Sequence, residues 1–346
     1  MEKILLNDLN EIINSNIIDW NVFDNKNIFI TGSTGLIGSI ITKTFLLRNE
    51  LYNSNINLYL LVRNRKKTEA VFGDNEHIKI IESSIEDYNP EYLNIDYIIH
   101  AASPTKSRFF VDNPVETLNT AVFGTKNMLE LAKINNVSSM IYLSSMEMYG
   151  ILDSDNVAEN DLGYINPLNV RSSYSEGKRI CELYCYSYMK EYNVPVKIGR
   201  IAQTFGPGIP KDENRVYKSF VDSILEKKNI VLKSSGSTII NYSYTTDTVL
   251  GLLCVLLKGL NGEAYNIVGD KTNMTILDSA LWLSKEYGND EIEVEINIPT
   301  ENTGFAPDNY MVLSNEKIKK LGWYPKHDIK YGYNNLINYI KDEKDK

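Results

Sequence analysis

Asn27-Ile28-Phe29-Ile30-Thr31-Gly32-Ser33-Thr34-Gly35-Leu36-Ile37-Gly38 decides the fold of this chain. A short apolar run meets a glycine-rich loop, and Leu36 to Leu47 then carries apolar residues at helical spacing, which reads as strand, tight turn, helix. Glycines at 32, 35 and 38 remove the Cβ atoms that would keep backbone N–H groups from a pyrophosphate, and the helix start adds its positive end. A glycine pattern alone also fits an ordinary turn. Its position directly after the first strand selects the nucleotide reading, with Gly32, Thr34, Gly35, Leu36, Ile37 and Gly38 as the cradle.

The alternation continues. Leu58 to Val62, Ile78 to Ile81, Tyr97 to Ala101, Met140 to Ser144 and Val196 to Ile201 read as buried parallel strands with helical stretches between most of them, predicting an α/β, doubly wound parallel sheet. Residues 27–201 form the expected dinucleotide-binding domain. Beyond Ile201 the rhythm changes at the loop Phe205-Gly206-Pro207-Gly208-Ile209-Pro210, and helices are expected over Val216 to Glu226 and Thr246 to Lys258. Residues 202–346 are expected to be mainly a smaller, partly interleaved substrate-binding lobe. Residues 1–26 form a helical extension whose Leu5, Leu6, Leu9, Ile12 and Ile13 make an amphipathic face, set against the body or a dimer mate.

Bulk properties narrow the function classes. With 346 residues, 43% of them hydrophobic, the chain can bury a core of more than one lobe. The formal charge of -9 opposes a nucleic-acid partner, and no basic run exceeds Arg63-Asn64-Arg65-Lys66-Lys67. Cys181, Cys185 and Cys254 make no even disulfide framework and read as reduced residues of a cytoplasmic protein. The first 26 positions lack the apolar stretch of a signal peptide, and the longest apolar run, Val249 to Leu257, is about half a membrane span, so no membrane partner is expected. No metal site is expected.

NAD sites usually place an acidic residue at the end of the second strand, to accept hydrogen bonds from the ribose hydroxyls. Here Arg63 stands there, which favours a 2′-phosphate and hence NADP(H) within a general NAD(P) reading; a solvated helix start is the other reading of the same run. Ser84, Ile85, Ala101, Ala102 and Ser103 follow later strands and are expected along the cofactor.

Tyr174 and Lys178 lie at i and i+4, so a helix presents both on one side. An adjacent ammonium favours the phenolate and is expected to lower the tyrosine pKa from its usual value near 10. Ser145 closes the strand Met140 to Ser144 at the same sheet edge, where a hydroxyl can hold a substrate oxygen. Tyr-x-x-x-Lys arises by chance in a chain with 23 tyrosines; the spacing from the glycine loop and the serine at a strand end give it meaning. His77, His100 and His327 are not expected to act as the base, with His100 a pocket wall or core residue.

The set Gly32-x-x-Gly35-x-x-Gly38, His100-Ala101-Ala102, Ser145 and Tyr174-x-x-x-Lys178 resembles the extended short-chain dehydrogenase/reductase family, the NAD-dependent epimerase/dehydratase group, over roughly residues 27 to 340. Arg171-Ser172-Ser173-Tyr174-Ser175-Glu176-Gly177-Lys178-Arg179, Thr204-Phe205-Gly206-Pro207 and Leu321-Gly322-Trp323 look like its UDP-glucuronate decarboxylase branch. The resemblance implies oxidation of a sugar hydroxyl with hydride storage on nicotinamide: Tyr174 as base, Lys178 as its partner and ribose anchor, Ser145 as alkoxide stabiliser and Glu147 beside the sugar's C5 and C6. It implies a substrate surface including Ser103, Thr105, Lys106, Ser145, Met146, Gln203, Arg215 and Lys218, and pairing of two chains through helices over Pro114 to Ile134 and Tyr174 to Tyr192. The second helix would expose Tyr184, Cys185 and Tyr188, unless that stripe faces the sheet.

Departures from the family pattern refine this. A dehydratase aspartate is Met146 here, which cannot donate a proton, so 4,6-dehydration is disfavoured. Two diphosphate-binding arginines align with Ile240 and with Phe305 or Ala306, leaving Arg215, Lys218 and Arg171 as candidate anchors. The family's asparagine is Ala121 here, with Thr120 available to substitute. The leading reading is an NAD(P)-dependent oxidoreductase or epimerase acting on an activated sugar, in surface polysaccharide biosynthesis. An NADPH-consuming reductase of a keto-sugar or polyol precursor competes with it, and a non-catalytic nucleotide-binding sensor is the reading from another class.

Overall fold

The computed structural model describes residues 3–210, 213–298 and 309–344. Seven parallel strands form its main sheet: β1 (Asn27–Thr31), β2 (Asn57–Val62), β3 (Ile78–Glu82), β4 (Tyr97–His100), β5 (Ser139–Ser145), β6 (Val196–Ile201) and β7 (Ala264–Ile267). Their spatial order is β7-β6-β5-β4-β1-β2-β3. The order reverses direction at β1 and β4, which opens a crevice at the carboxyl ends of these strands.

Helices cover both faces. They are α1 (Lys3–Ile13), α2 (Leu36–Tyr52), α3 (Arg65–Phe72), α4 (Ser107–Asp112), α5 (Pro114–Asn135), α6 (Ser172–Tyr192), α7 (Val216–Glu226), α8 (Thr245–Lys258), α9 (Ile276–Tyr287), α10 (Glu316–Lys319) and α11 (Ile329–Lys344). Alternate strand residues divide between two cores, as the two-residue period requires: Ile28 and Ile30 join the layer with α2 and α8, while Phe29 joins the layer with α5 and α6. Strand ends match the sequence expectation closely. The exception is Ala101, whose amide, like that of Ala102, donates to the Thr31 hydroxyl (3.1 and 3.0 Å), so the chain leaves the ladder at His100.

Outside the main sheet lie α7, α9 and short strand pairs, 203–205 with 242–244, 230–232 with 294–296 and 153–157 with 310–313. Between these pieces the chain returns to the main sheet to add β7 beside β6.

The N-terminal helix packs on the body. Leu5, Leu9, Ile12 and Ile13 are buried in the core shared with α2 and α8, each worth about 1.5–3 kcal/mol. Its polar face is latched as well. Tyr244 donates to Asp8 (2.7 Å), and His327 is held between Glu11 (3.2 Å) and Asp247 (3.1 Å), whose carboxylate also accepts the amides of Lys326 and His327. His327, expected in a C-terminal tail, is thus a buried tie between α1, α8 and the segment before α11. Burial alone would lower its pKa; hydrogen bonds to Asp247 and Glu11 outweigh this and raise it to about 9.

One expectation about the surface is corrected. Cys185 and Tyr188 of α6 are buried against Met140, Val196 and Ile198, so that stripe faces the sheet. The apolar side chains α6 presents to solvent are Ile180, Leu183, Tyr186 and Tyr192, with Val115, Phe123 and Ile134 of α5 also exposed. No helix of the described residues is long and apolar enough to cross a membrane.

Candidate active site

The glycine loop sits where β1 meets the crevice. Gly32 has φ +69°, and a Cβ there would lie 2.7 Å from the Ala101 carbonyl and 2.8 Å from the Ala102 amide. A Cβ on Gly38 would lie 2.2 Å from the Gly32 carbonyl oxygen. Both contacts are with backbone, so neither position accepts a side chain without moving the loop. α2 then opens at Gly35 with no side-chain cap, and the amides of Leu36, Ile37 and Gly38 precede the first intrahelical acceptor. The Ser33 hydroxyl is buried in the loop without a partner. Free donors, an uncapped helix start and missing Cβ atoms fit the pyrophosphate of a dinucleotide. Thr34 and Ile37 are partly buried at the loop.

His100 braces this loop from below. The Thr31 hydroxyl already accepts the Ala101 and Ala102 amides, so its proton goes to His100 Nδ1 (2.9 Å), which leaves Nε2–H to face Thr125 Oγ1 (3.1 Å). Burial pushes the imidazole pKa down to about 3, keeping it neutral. It is a core residue, as the sequence suggests.

Other predicted cofactor residues line the same edge in different ways. Ile85 is buried and would touch a Cβ at Gly124 at 2.8 Å, so the α5 glycine lets the helix close on the loop after β3. The Ser84 hydroxyl donates to Asp87 (2.7 Å). Ala101 and Ala102 are partly buried, and Ser103 donates to the Pro104 carbonyl (3.2 Å). Arg63 is largely exposed at the end of β2, 3.9 Å from Glu116. Arg65 of the same basic run is turned away from the crevice, bonded to the Ile80 carbonyl and to Glu82.

Ser145 and Tyr174 come together. Ser145 ends β5, accepting the Glu147 amide at 3.2 Å, while Tyr174 lies in the first turn of α6, near enough for the Ser145 hydroxyl to favour its phenolate. Lys178, one turn on, donates to the Leu143 carbonyl (2.8 Å), and its nitrogen is 5.7 Å from the centre of the Tyr174 ring and 4.9 Å from that of Tyr142. Burial lowers the Lys178 pKa to about 8.

The phenol does not behave as the sequence predicts. Its pKa is pushed up to about 12, first by burial and next by the Glu147 carboxylate; the Ser145 hydrogen bond and the Arg215 and Arg171 guanidinium groups offset this only in part. Burial dominates because Phe110 stacks face to face on the ring, with centroids 4.2 Å apart and planes 8° from parallel. Spacing alone shows Lys178 beside Tyr174; it does not show a second aromatic ring, from a separate helix, covering the first.

Glu147 pairs with Arg171 (2.9 Å), three residues before Tyr174. Met146 is partly buried beside it and Gln203 partly buried at the start of its short strand. Thr105 and Lys106 lie exposed before α4. The expected anion anchors carry counter-ions: Arg215 is bonded through two nitrogens to Glu213, and Lys218 reaches both oxygens of Asp222 at 2.6 Å. Ile240 is buried, so the first missing arginine has no local replacement at that position; Phe305 and Ala306 lie outside the described residues. The Ala121 carbonyl accepts the Cys181 thiol (3.1 Å), and Thr120 is buried nearby in α5. Sequence reasoning missed Phe110, Glu213 and the Glu147–Arg171 pair; only the last left a signal, since Arg171 stands one turn before Tyr174.

Comparison with known proteins agrees with this architecture. The model of the NAD dependent epimerase/dehydratase family matches residues 28–268. UDP-glucuronic acid decarboxylase 1 of Xenopus tropicalis is 30% identical over 322 residues, covering 92% of this chain and 73% of that protein. UDP-glucuronic acid decarboxylase 3 of Arabidopsis thaliana is 31% identical over 311 residues, covering 89% and 87%. Among solved structures, the UDP-glucuronic acid 4-epimerase of Bacillus cereus, in complex with UDP-glucuronic acid and NAD, superposes with a TM-score of 0.76 at 23% identity over 92% of this chain and 99% of that one. A dTDP-glucose 4,6-dehydratase of Streptomyces venezuelae gives 0.75 at 21% identity over 92% and 98%. Fold, site geometry and the family match over most of its length place this chain in the NAD dependent epimerase/dehydratase family.

Proposed function

We propose that this protein is an NAD(P)-dependent oxidoreductase or epimerase that acts on a hydroxyl or keto carbon of a nucleotide-activated sugar, in surface polysaccharide biosynthesis. The observation that carries the reading is Ser145 at the end of β5 acting on Tyr174 in the first turn of α6, with Lys178 one turn along the same helix. When bound, the nicotinamide supplies a hydride acceptor and donor. The chain's residues supply the proton chemistry: Tyr174 Oη, in its phenolate form, takes the proton of the sugar hydroxyl, Ser145 Oγ donates to the same oxygen as charge develops on it, and Lys178 stands as the buried cation of the site. Glu147, held by Arg171, faces Tyr174 from the turn after β5 and is the available acid or base for a neighbouring sugar carbon.

Cofactor and assembly are finer parts of the proposal. Arg63, exposed at the end of β2, supports a 2′-phosphate and hence NADP(H), although Glu116 is its ion-pair neighbour and Glu86 and Asp112 line the same groove as Glu116. The exposed apolar residues of α5 and α6 suit pairing with a second copy, and the acidic, reduced, cysteine-poor chain suits the cytoplasm. Substrate diphosphate would have to draw Arg215 from Glu213 or Arg171 from Glu147.

The test is absorbance of the purified protein at the reduced-nicotinamide band before and after UDP-glucuronate, UDP-glucose and their 4-epimers. The wild type is expected to show transient or net reduction of NAD(P)+ with at least one of them, and Tyr174→Phe to lose it. Full turnover by Tyr174→Phe would remove the phenol from the mechanism.

A further inference from the structure

Beneath the catalytic pair lies a buried polar cluster that the proposed chemistry does not use. Glu182 is on α6 at i+8 from Tyr174 and i+4 from Lys178, so the three share one side of the helix. Its carboxylate accepts the Ser144 hydroxyl at 2.5 Å, and Ser144 is the residue immediately before Ser145. Arg200 of β6 grips the same carboxylate with Nε (3.0 Å) and Nη2 (2.7 Å), while its Nη1 donates to the Tyr149 hydroxyl (2.9 Å) and the Glu159 carbonyl (2.6 Å). Tyr149 in turn donates to Asn266 of β7 (2.7 Å). Side-chain exposure is only 9% for Glu182 and 7% for Arg200.

Two buried charges cost desolvation that their attraction barely offsets, so such a pair is weak support for stability as its purpose. Its connections suggest another. Apart from the bond to the Glu159 carbonyl, each bond links an element that carries a candidate catalytic group to a second element: α6 bears Tyr174 and Lys178, the end of β5 bears Ser145, the turn after β5 bears Glu147 and Tyr149, and β6 and β7 are the sheet. We infer that Glu182, with Arg200 behind it and Ser144 in front, is a positioning residue that fixes the end of β5 against α6 and so sets the separation of the Ser145 and Tyr174 hydroxyls. The inference rests on the functional reading of those two hydroxyls.

Ser144→Ala removes the side-chain bond between this cluster and the serine strand while leaving both buried charges paired, so folding is spared. Ser144→Thr keeps the hydroxyl. With NAD+ bound and UDP-glucuronate as the probe, the rate of nicotinamide reduction is expected to fall about tenfold in Ser144→Ala, as expected for a misplacement of well under 1 Å, with the half-saturating UDP-glucuronate concentration unchanged and Ser144→Thr close to wild type. An unchanged rate in Ser144→Ala overturns the inference, as does an equal loss in Ser144→Thr. A crystal structure of Ser144→Ala with NAD+ decides independently of turnover: the Ser145–Tyr174 hydroxyl separation should widen, and an unaltered separation refutes the strut. If the wild type fails to reduce the nicotinamide with any sugar nucleotide, the functional reading fails, and the crystallographic comparison still decides the positioning role.

Discussion

Raising pH should loosen the N-terminal latch before it affects the rest of the fold. His327 is protonated up to about pH 9 in the folded chain and only to about 6.5 when unfolded. A raised base contributes its full stabilisation below the unfolded value and loses it as pH climbs through the folded one, so the window is pH 6.5 to 9. Two and a half pKa units correspond to about 3 kcal/mol, and the side chain is only 8% exposed, so solvent screening removes little of it. Unfolding entropy of about 2.1 cal/mol/K per residue gives a chain of this length about 0.7 kcal/mol/K, so 3 kcal/mol amounts to about 4 °C in Tm. Lys178 and Lys197, both lowered to about 8 by burial, act in the opposite sense, recovering stability from pH 8 upward. The informative quantity is therefore the Tm difference between wild type and His327→Gln, read by circular dichroism at intervals from pH 6 to 9.5. It should be largest at pH 6 and shrink by about 4 °C by pH 9.5. A difference that stays constant with pH would show that His327 contributes packing alone, and the ionic account of the latch would be wrong.

Gly38→Ala, in the first turn of α2, places a Cβ against the Gly32 backbone, whereas Gly73→Ala, at the end of α3 with φ +72°, meets nothing within 4 Å. The first should lower NADH affinity at least about tenfold by fluorescence titration; the second should cost only about 1 kcal/mol of stability with NADH affinity unchanged, and equal effects on NADH binding would contradict the cradle. Phe110→Ala uncovers the Tyr174 ring, so the phenol pKa should fall from about 12 toward 10 and the pH–rate limb that reports it should move down by one to two units. A limb that does not move would mean that Glu147, and not burial, holds the phenol up.

How much of this was legible in the sequence follows from the range over which each interaction acts. The glycine loop, the first six strands of the sheet and helices α6, α7 and α8 are written in local patterns, and the structure places them within two residues of expectation, because periodicity and backbone sterics act over a few positions; β7 was not read. That Ser145 and Tyr174 lie at one edge of the sheet was also readable, since a strand end and the next crossover helix of a doubly wound sheet must meet at the carboxyl edge. What could not be read is what surrounds those groups. Phe110 reaches Tyr174 from an element more than sixty positions earlier, in a run with no distinctive pattern, and the charges at Arg171, Arg215 and Lys218 looked available until Glu147, Glu213 and Asp222 were found on them. A pKa is the sum of such surroundings, so the sign of the Tyr174 shift was beyond the reach of spacing. The same holds for His327, where two carboxylates from α1 and α8 reverse what burial alone would do. Sequence therefore proposed the reacting groups, while the surroundings that set their protonation came only with tertiary packing.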